Sequence, residues 1–345
     1  MLDSDTLLMK RALEIARKGA GLVSPNPMVG AVLVNDGRVV GEGFHRYDLL
    51  KHAETYAIAA AGENARGATL YCNLEPCCHH GRTPPCTNAL IEAEIARAVI
   101  ATKDADPRVN GRGIEQLRDA GIEVEVGLLE DRARQLNESY FKFITTGSPF
   151  VHGVIEYPAG SDGLFEWNPS AGFIGVGSKY DAVLLGNRSE LNHTIVDQAL
   201  LRERHRPLVL VGGSDLPESL TSKVDIVLVP FDSNPVGVGS GNVVALNEGI
   251  ASDTGKSSFA LLLTKLARLD VTSLLCLPGG VDLSNTDDFS LMDKVTLAVP
   301  GYTIESGFAT RWTFADLEFD LEDVKIEKAG LFAEITGLPS LQEVA

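Results

Sequence analysis

Two short stretches of this chain hold side chains that bind soft metals and move protons. His52 and Glu54 lie two residues apart, and Pro76-Cys77 is followed by Cys86 after an eight-residue gap. Imidazole and thiolate are ligands that zinc prefers, and a hydrolytic zinc site needs three protein ligands with one position left for water. His52, Cys77 and Cys86 supply that count. Such a metal brings the pKa of bound water from about 15.7 to about 7. A carboxylate must then carry protons from the water to a leaving group, and Glu54 is placed to do so. Residues at i and i+2 do not share a helix face, so the metal belongs off the end of the helix that His52 opens. Cys86 directly precedes another predicted helix, whose free N–H groups favour a thiolate there.

The elements around these residues alternate. A first helix is capped by Ser4 or Asp5, carries an apolar stripe of Leu7, Leu8, Ala12 and Ile15, and ends at Gly19 or Gly21. Pro25-Asn26-Pro27 forces a turn before an apolar strand over Val29–Val34. Asn35-Asp36-Gly37 signals a hairpin, with a return strand over Val39–Phe44. Helices follow at His52–Ala61, Thr87–Ala93 and Gly113–Ala120, interleaved with strands at Ala68–Asn73, Ala98–Thr102 and Val124–Val126. A helix over Glu130–Phe143 closes this unit, and Thr145–Pro149 reads as a linker. Strands recur at Phe150–Ile155, Ala182–Leu185, Leu208–Val211, Ile226–Val229 and Ser273–Leu277. Alternating strands and helices on both sides of the linker predict two α/β domains, 1–147 and 148–345. Asn234–Asn242 reads as a surface loop.

Bulk properties narrow the partners. The net charge of −17 is uneven: residues 1–147 hold 17 basic and 20 acidic residues, a net of −3, and residues 148–345 hold 13 and 27, a net of −14. Neither part has the basic excess of a nucleic-acid binder, so a free small molecule is expected as substrate. No apolar run reaches the roughly 20 residues that cross a bilayer, and the N-terminal segment lacks a signal-peptide pattern. A cytoplasmic protein is expected. Four of five cysteines (Cys72, Cys77, Cys78, Cys86) fall within fifteen residues, which favours a metal site over disulfides. Cys72 and Cys276 read as buried small hydrophobes.

The segments SPNPMVGAVLV, GEGFH, HAE, LEPCCHHGRTPPC and KDADPRVNGRG occur in this order over about residues 5–147. They resemble the deaminase half of the bifunctional riboflavin-biosynthesis deaminase/reductase family, a branch of the zinc deaminases with their H-x-E and P-C signature. The long cysteine gap is that family's own spacing. The resemblance implies a cytidine-deaminase-like α/β/α layered domain with Zn²⁺ on His52, Cys77 and Cys86, and Glu54 as catalytic proton shuttle. It also implies hydrolysis of the 2-amino group of 2,5-diamino-6-ribosylamino-4(3H)-pyrimidinone 5′-phosphate. Asn26, His45, His79, Arg82, Asp104 and Asp106 become candidate substrate contacts, with His79 and Arg82 suited to the phosphate. Asp104 and Asp106 equally suit a turn before Pro107. Asp106 stands where the family more often has asparagine. Cys78 is taken as a bystander and His80 as solvent-exposed.

The same resemblance implies a dihydrofolate-reductase-like α/β domain in residues 148–345, and there the likeness is faint. Asp181–Gly186 and Leu274–Gly280 look like scaffold strands, and Ser161-Asp162-Gly163 like a shortened S-L-D-G turn. The family's upstream lysine is missing, with His152 and Glu156 in that stretch. NRSELNHTIVDQ replaces the T-V…D-D-P stretch, and Pro278 precedes Gly279-Gly280 where glutamate is usual. The glycines Gly172, Gly175 and Gly177 do not make a dinucleotide fingerprint. NADPH binding is therefore not expected, and the second domain reads as a degenerate reductase serving stability or homo-oligomer formation. Three alternatives stand beside this one: a deaminase of a secondary-metabolite route branching from riboflavin intermediates, a still bifunctional NADPH-dependent enzyme, and a scaffold whose zinc is structural.

Overall fold

In a computed structural model, the chain divides into two compact units, Met1–Gly147 and Ser148–Ala345. The structure describes residues 4–47, 49, 51–156, 179–186, 189–200, 208–212, 226–229, 242–245, 258–278, 286–300, 311–314, 317–329 and 332–341. Ser161-Asp162-Gly163, Gly172, Gly175, Gly177, Gly279-Gly280 and most of the predicted loop 234–242 lie outside these residues.

The first unit is built on five strands: β1 (Gly30–Asn35), β2 (Arg38–Phe44), β3 (Thr69–Cys72), β4 (Arg97–Ile100) and β5 (Glu123–Val126). Their order is β2-β1-β3-β4-β5. β1 runs antiparallel to β2 and β3, while β3, β4 and β5 are parallel. Asp36 and Gly37, at φ 48° and 72°, form the predicted hairpin turn. Period-two alternation sends Ala31, Leu33, Leu70, Cys72, Ala98 and Ile100 to one face of the sheet. There they pack under α2 (Ala53–Ala61), α3 (Cys86–Glu92) and α4 (Arg112–Asp119). Val32, Tyr71, Val99 and Ala101 point to the other face, against α1 (Ser4–Ala16) and α5 (Glu130–Leu136). Helices thus cover both faces of the sheet, as the alternation predicts.

Three local expectations are corrected. Leu7 was assigned to the buried stripe of α1 but is 53% exposed, because the stripe that meets the sheet runs through Met9, Ala12, Leu13 and Ala16. The single helix over Glu130–Phe143 is two helices, α5 and α6 (Glu138–Thr146), broken at Asn137. Asn137 turns its buried side chain onto the Met28 main chain, accepting from its N–H (2.8 Å) and donating to its carbonyl (2.9 Å). Thr145 and Thr146 belong to α6 and not to a linker; only 147–149 separate it from the next strand.

The second unit has a ten-stranded sheet. Its strands are β6 (Phe150–Glu156), β7 (Ala182–Leu184), β8 (Val209–Val211), β9 (Ile226–Val229), β10 (Asn242–Ala245), β11 (Ser273–Cys276), β12 (Lys294–Pro300), β13 (Arg311–Phe314), β14 (Leu317–Ala329) and β15 (Phe332–Leu341). The order is β10-β9-β8-β7-β11-β6-β12-β15-β14-β13, parallel through β12 and antiparallel beyond it. One face packs on α8 (Ser258–Arg268) through Phe259, Leu262, Leu263 and Leu266. The other packs on α7 (Ser189–Leu200) through Ile195, Val196 and Ala199. The strands β10 and β12–β15 were not anticipated, and Asn242 opens β10 instead of closing a loop. Cys72 and Cys276 are buried as expected. Among the described residues, no helix is long and apolar enough to cross a membrane.

Candidate metal centre and ligand pocket

His52 stands at the N-cap of α2 in an extended conformation, φ −85° and ψ 160°. Its position depends on how closely α2 lies on the hairpin. A Cβ at Gly41 would come 2.1 Å from the Ala57 carbonyl, and one at Gly43 2.3 Å from that of Ala53. Larger residues would lift the helix and its first turn off β2. Glu54, one residue into the helix, is 3% exposed.

Cys77 follows β3 on an irregular stretch, and Cys86 is the first residue of α3. The ligand atoms of His52, Cys77 and Cys86 all lie within 4.8 Å of one another, the one such cluster among the described residues. His52 Nδ1 is 3.1 Å from Cys86 Sγ and 3.4 Å from Cys77 Sγ. A tetrahedral zinc with Zn–S of about 2.3 Å and Zn–N of about 2.0–2.1 Å requires N···S edges of roughly 3.5 Å, so the donor set fits that ion. His52, at the N-cap of α2, brings its ring to the two sulfurs at that end of the helix, where the i, i+2 spacing would put a metal.

The protein groups set the charge of this cluster. Hydrogen bonds from Cys86 and His52 bring the Cys77 thiol down to about 4. Cys86 moves the opposite way, pushed well up by its bond to Cys77 and by burial. The Cys86 backbone N–H points 3.3 Å to Cys77 Sγ, so this donor at the start of α3 serves the neighbouring cysteine of the cluster. His52 is raised by its contact with Cys77, and burial raises Glu54 above the usual carboxylate range. Cys78 sits outside the cluster with its sulfur 3.7 Å from the Arg108 carbonyl.

The site opens into a cavity of about 410 Å³ within the first unit. All six predicted contacts, Asn26, His45, His79, Arg82, Asp104 and Asp106, line it together with His52, Glu54 and Cys77. The Asn26 backbone N–H donates to the Val23 carbonyl at 2.8 Å, and two residues on the Met28 carbonyl accepts from both Asn137 and Asn73, the latter at 3.0 Å. The Lys51 carbonyl lies 3.1 Å from His45 Nδ1, which places the proton there and leaves Nε2 to face the Asn26 amide at 3.4 Å. His79 Nδ1 is buried with no partner among the described residues, the kind of orphan that a ligand satisfies. Arg82 stacks 4.8 Å over the Tyr47 ring.

The two aspartates differ. Both Asp106 oxygens are taken by Arg108, through its guanidinium and its backbone N–H, and the ion pair holds Asp106 below the usual range. Asp106 thus makes the turn before Pro107 and an ion pair with Arg108 while also lining the cavity. Asp104 is raised by burial, lines the cavity, and has its Oδ1 occupied by the Tyr140 hydroxyl and the Asp106 N–H.

Several residues escaped the sequence reading. Thr83 Oγ1 lies 3.5 Å from His52 Nε2, on the ring edge away from the sulfurs. Glu75 accepts four backbone N–H groups, from Gly113 and Ile114 on one oxygen and Gly111 and Asp104 on the other. Both sit inside the motif that carries the cysteines, which is the signal that could have found them. Tyr140, Phe143 and Ile144 of α6 also line the cavity, and only the fold brings them there.

The family model for the cytidine and deoxycytidylate deaminase zinc-binding region matches residues 2–102. The riboflavin biosynthesis protein RibD of Aquifex aeolicus is 52% identical over 147 residues, 43% of this chain and 41% of that protein. The chloroplastic riboflavin biosynthesis protein PYRD of Zea mays is 41% identical over 213 residues, 62% of this chain and 53% of that protein. The alignments thus span about two fifths to one half of these curated relatives' own length. A Thermotoga maritima structure, described as a diaminohydroxyphosphoribosylaminopyrimidine deaminase/5-amino-6-(5-phosphoribosylamino)uracil reductase, is similar over 97% of this chain and 99% of its own. It has a TM-score of 0.74 at 28% identity.

Proposed function

Since the chain belongs to the bifunctional riboflavin-biosynthesis deaminase/reductase family, we propose that residues 1–147 are a zinc-dependent aminohydrolase. Its substrate in this reading is 2,5-diamino-6-ribosylamino-4(3H)-pyrimidinone 5′-phosphate, which loses its 2-amino group as ammonia. The observation that carries the reading is the three-ligand cluster of His52, Cys77 and Cys86 with the buried Glu54 beside it.

His52 Nδ1 and the sulfurs of Cys77 and Cys86 would hold the ion. Bound zinc supplies Lewis acidity, which makes a water nucleophilic near neutral pH. Glu54 takes a proton from the attacking water and delivers one to the departing amine. Burial raises it above the usual carboxylate range, the direction that favours a carboxyl serving as both base and acid. Asn26 and His45 orient the ring, and His79 and Arg82 take the phosphate. Asp104 accepts a hydrogen bond from the substrate.

We assign residues 148–345 to a reductase-like domain that does not turn over NADPH and serves stability or homo-oligomer formation. Pro278 in place of glutamate, the altered segment after Gly186 and the net charge of −14 support this. A cytoplasmic homo-oligomer is expected, checked by fractionation and light scattering. Incubating the purified protein with the pyrimidinone phosphate tests both assignments. Ammonia should appear at the same rate with and without NADPH, and NADPH absorbance should not fall. Absence of ammonia defeats the deaminase, and consumption of NADPH shows a bifunctional enzyme.

A further inference from the structure

The matched zinc-binding region ends at residue 102, yet part of the cavity comes from beyond it. Tyr140, Phe143 and Ile144 on α6 contribute one aromatic ring with a hydroxyl and two apolar side chains. The Tyr140 hydroxyl donates to Asp104 Oδ1 at 2.8 Å, and the Asp106 backbone N–H donates to the same oxygen at 2.9 Å. One carboxylate oxygen is thereby saturated. Among the described residues, Asp104 Oδ2 accepts no hydrogen bond, although Asp104 is only 7% exposed and lines the cavity. The two bonds to Oδ1 fix the direction of the carboxylate and leave Oδ2 as its one acceptor without a protein donor among the described residues.

We propose that Tyr140 is a positioning residue that locks Asp104 so that its Oδ2 accepts an amino or hydroxyl hydrogen of the substrate other than the departing amine. Phe143 and Ile144 supply apolar contact beside it, and α6 selects ligands that carry such a donor. The inference rests on the deaminase reading above for the identity of the substrate. Burial and the neighbouring carboxylate push the Tyr140 phenol well up, so it remains a donor throughout the working pH range.

The test is a double-mutant cycle of Tyr140→Phe and Asp104→Asn in the full-length, zinc-loaded protein. Calorimetric binding of the pyrimidinone phosphate is read in a Glu54→Gln background, where no turnover interferes, and KM and kcat in the protein with Glu54. Tyr140→Phe should raise Kd and KM about tenfold, the loss expected for a hydrogen bond to a charged group, with kcat within about twofold. The double variant should bind no worse than Asp104→Asn alone. A Kd unchanged by Tyr140→Phe, additive losses, or a fall confined to kcat overturns the inference. Wild-type ammonia release separates the two ideas. If binding depends on Tyr140 but no ammonia forms, the deaminase reading fails and the positioning role stands. Absence of binding in the Glu54→Gln background overturns both.

Discussion

Glu75 is buried and joins three parts of the site: the loop that leads through Pro76 to Cys77, the first turn of α4, and the Asp104 backbone. Its Oε1 accepts from Gly113 (2.9 Å) and Ile114 (3.2 Å), and its Oε2 from Gly111 (2.8 Å) and Asp104 (3.2 Å). Glutamine has nearly the same shape but only one acceptor oxygen. Whichever way the amide turns, its NH₂ faces two N–H donors and leaves them unsatisfied. Each buried unsatisfied donor costs about 1–3 kcal/mol, and the lost charge at the α4 N-terminus adds about 0.3–1 kcal/mol. Glu75→Gln should therefore destabilise this segment by about 2–7 kcal/mol, against a total near 5–15 kcal/mol for an ordinary domain. Hydrogen exchange read by mass spectrometry over peptides spanning 104–114 measures it directly. Exchange should rise at least about thirtyfold, the factor equivalent to about 2 kcal/mol, and zinc should leave faster because Cys77 is two residues away. Gly113→Ala attacks the same junction, since its Cβ would lie 2.2 Å from the Pro76 carbonyl. Protection within about threefold of wild type in Glu75→Gln would refute the account.

Three further outcomes are expected. Glu54→Gln should keep one zinc per chain by atomic absorption while ammonia release falls by about 10²–10⁴-fold, the range for a general acid–base residue; turnover near wild type would remove Glu54 from the mechanism. Thr83→Val should weaken zinc binding by about 10–100-fold in chelator competition, because the partner that orients the ligating imidazole is lost; equal affinity would make that contact incidental. In the second unit, His152 is buried between Tyr180 (2.6 Å) and Thr296 (2.8 Å), and burial first, then Lys294 and Lys179, lower it to about 3. The folded form stays neutral while the unfolded chain takes up a proton below about 6.5, so this stability is intact above pH 6.5 and falls by about 1.4 kcal/mol per unit toward pH 3. Both tryptophans, Trp167 and Trp312, lie in this part of the chain, so fluorescence-monitored urea unfolding should show the slope, and His152→Gln should flatten it.

How much of this was legible in the sequence follows from the range of the forces involved. The hairpin at Asn35-Asp36-Gly37 and the N-cap position of His52 are set by a few neighbouring residues, and local chemistry displays them. The strands β3 (TLYC) and β4 (RAVI) are short but largely apolar, so their existence was plain while their ends moved by one or two residues. The break between α5 and α6 was not legible, because the helical rhythm continues through Asn137 and what ends it is a pair of hydrogen bonds to Met28, 109 residues away. The same distance hid Tyr140. Nothing in its own segment marks it, and it gains meaning only when α6 brings its hydroxyl to Asp104. Asp106 shows the converse. Its place in the motif suggests a substrate contact, and the structure adds what the motif does not display: Arg108, two residues on, pairs with both of its oxygens. A sequence motif thus marks which residues meet at a site, whereas which of them remains available to a ligand is decided by the partners that folding supplies.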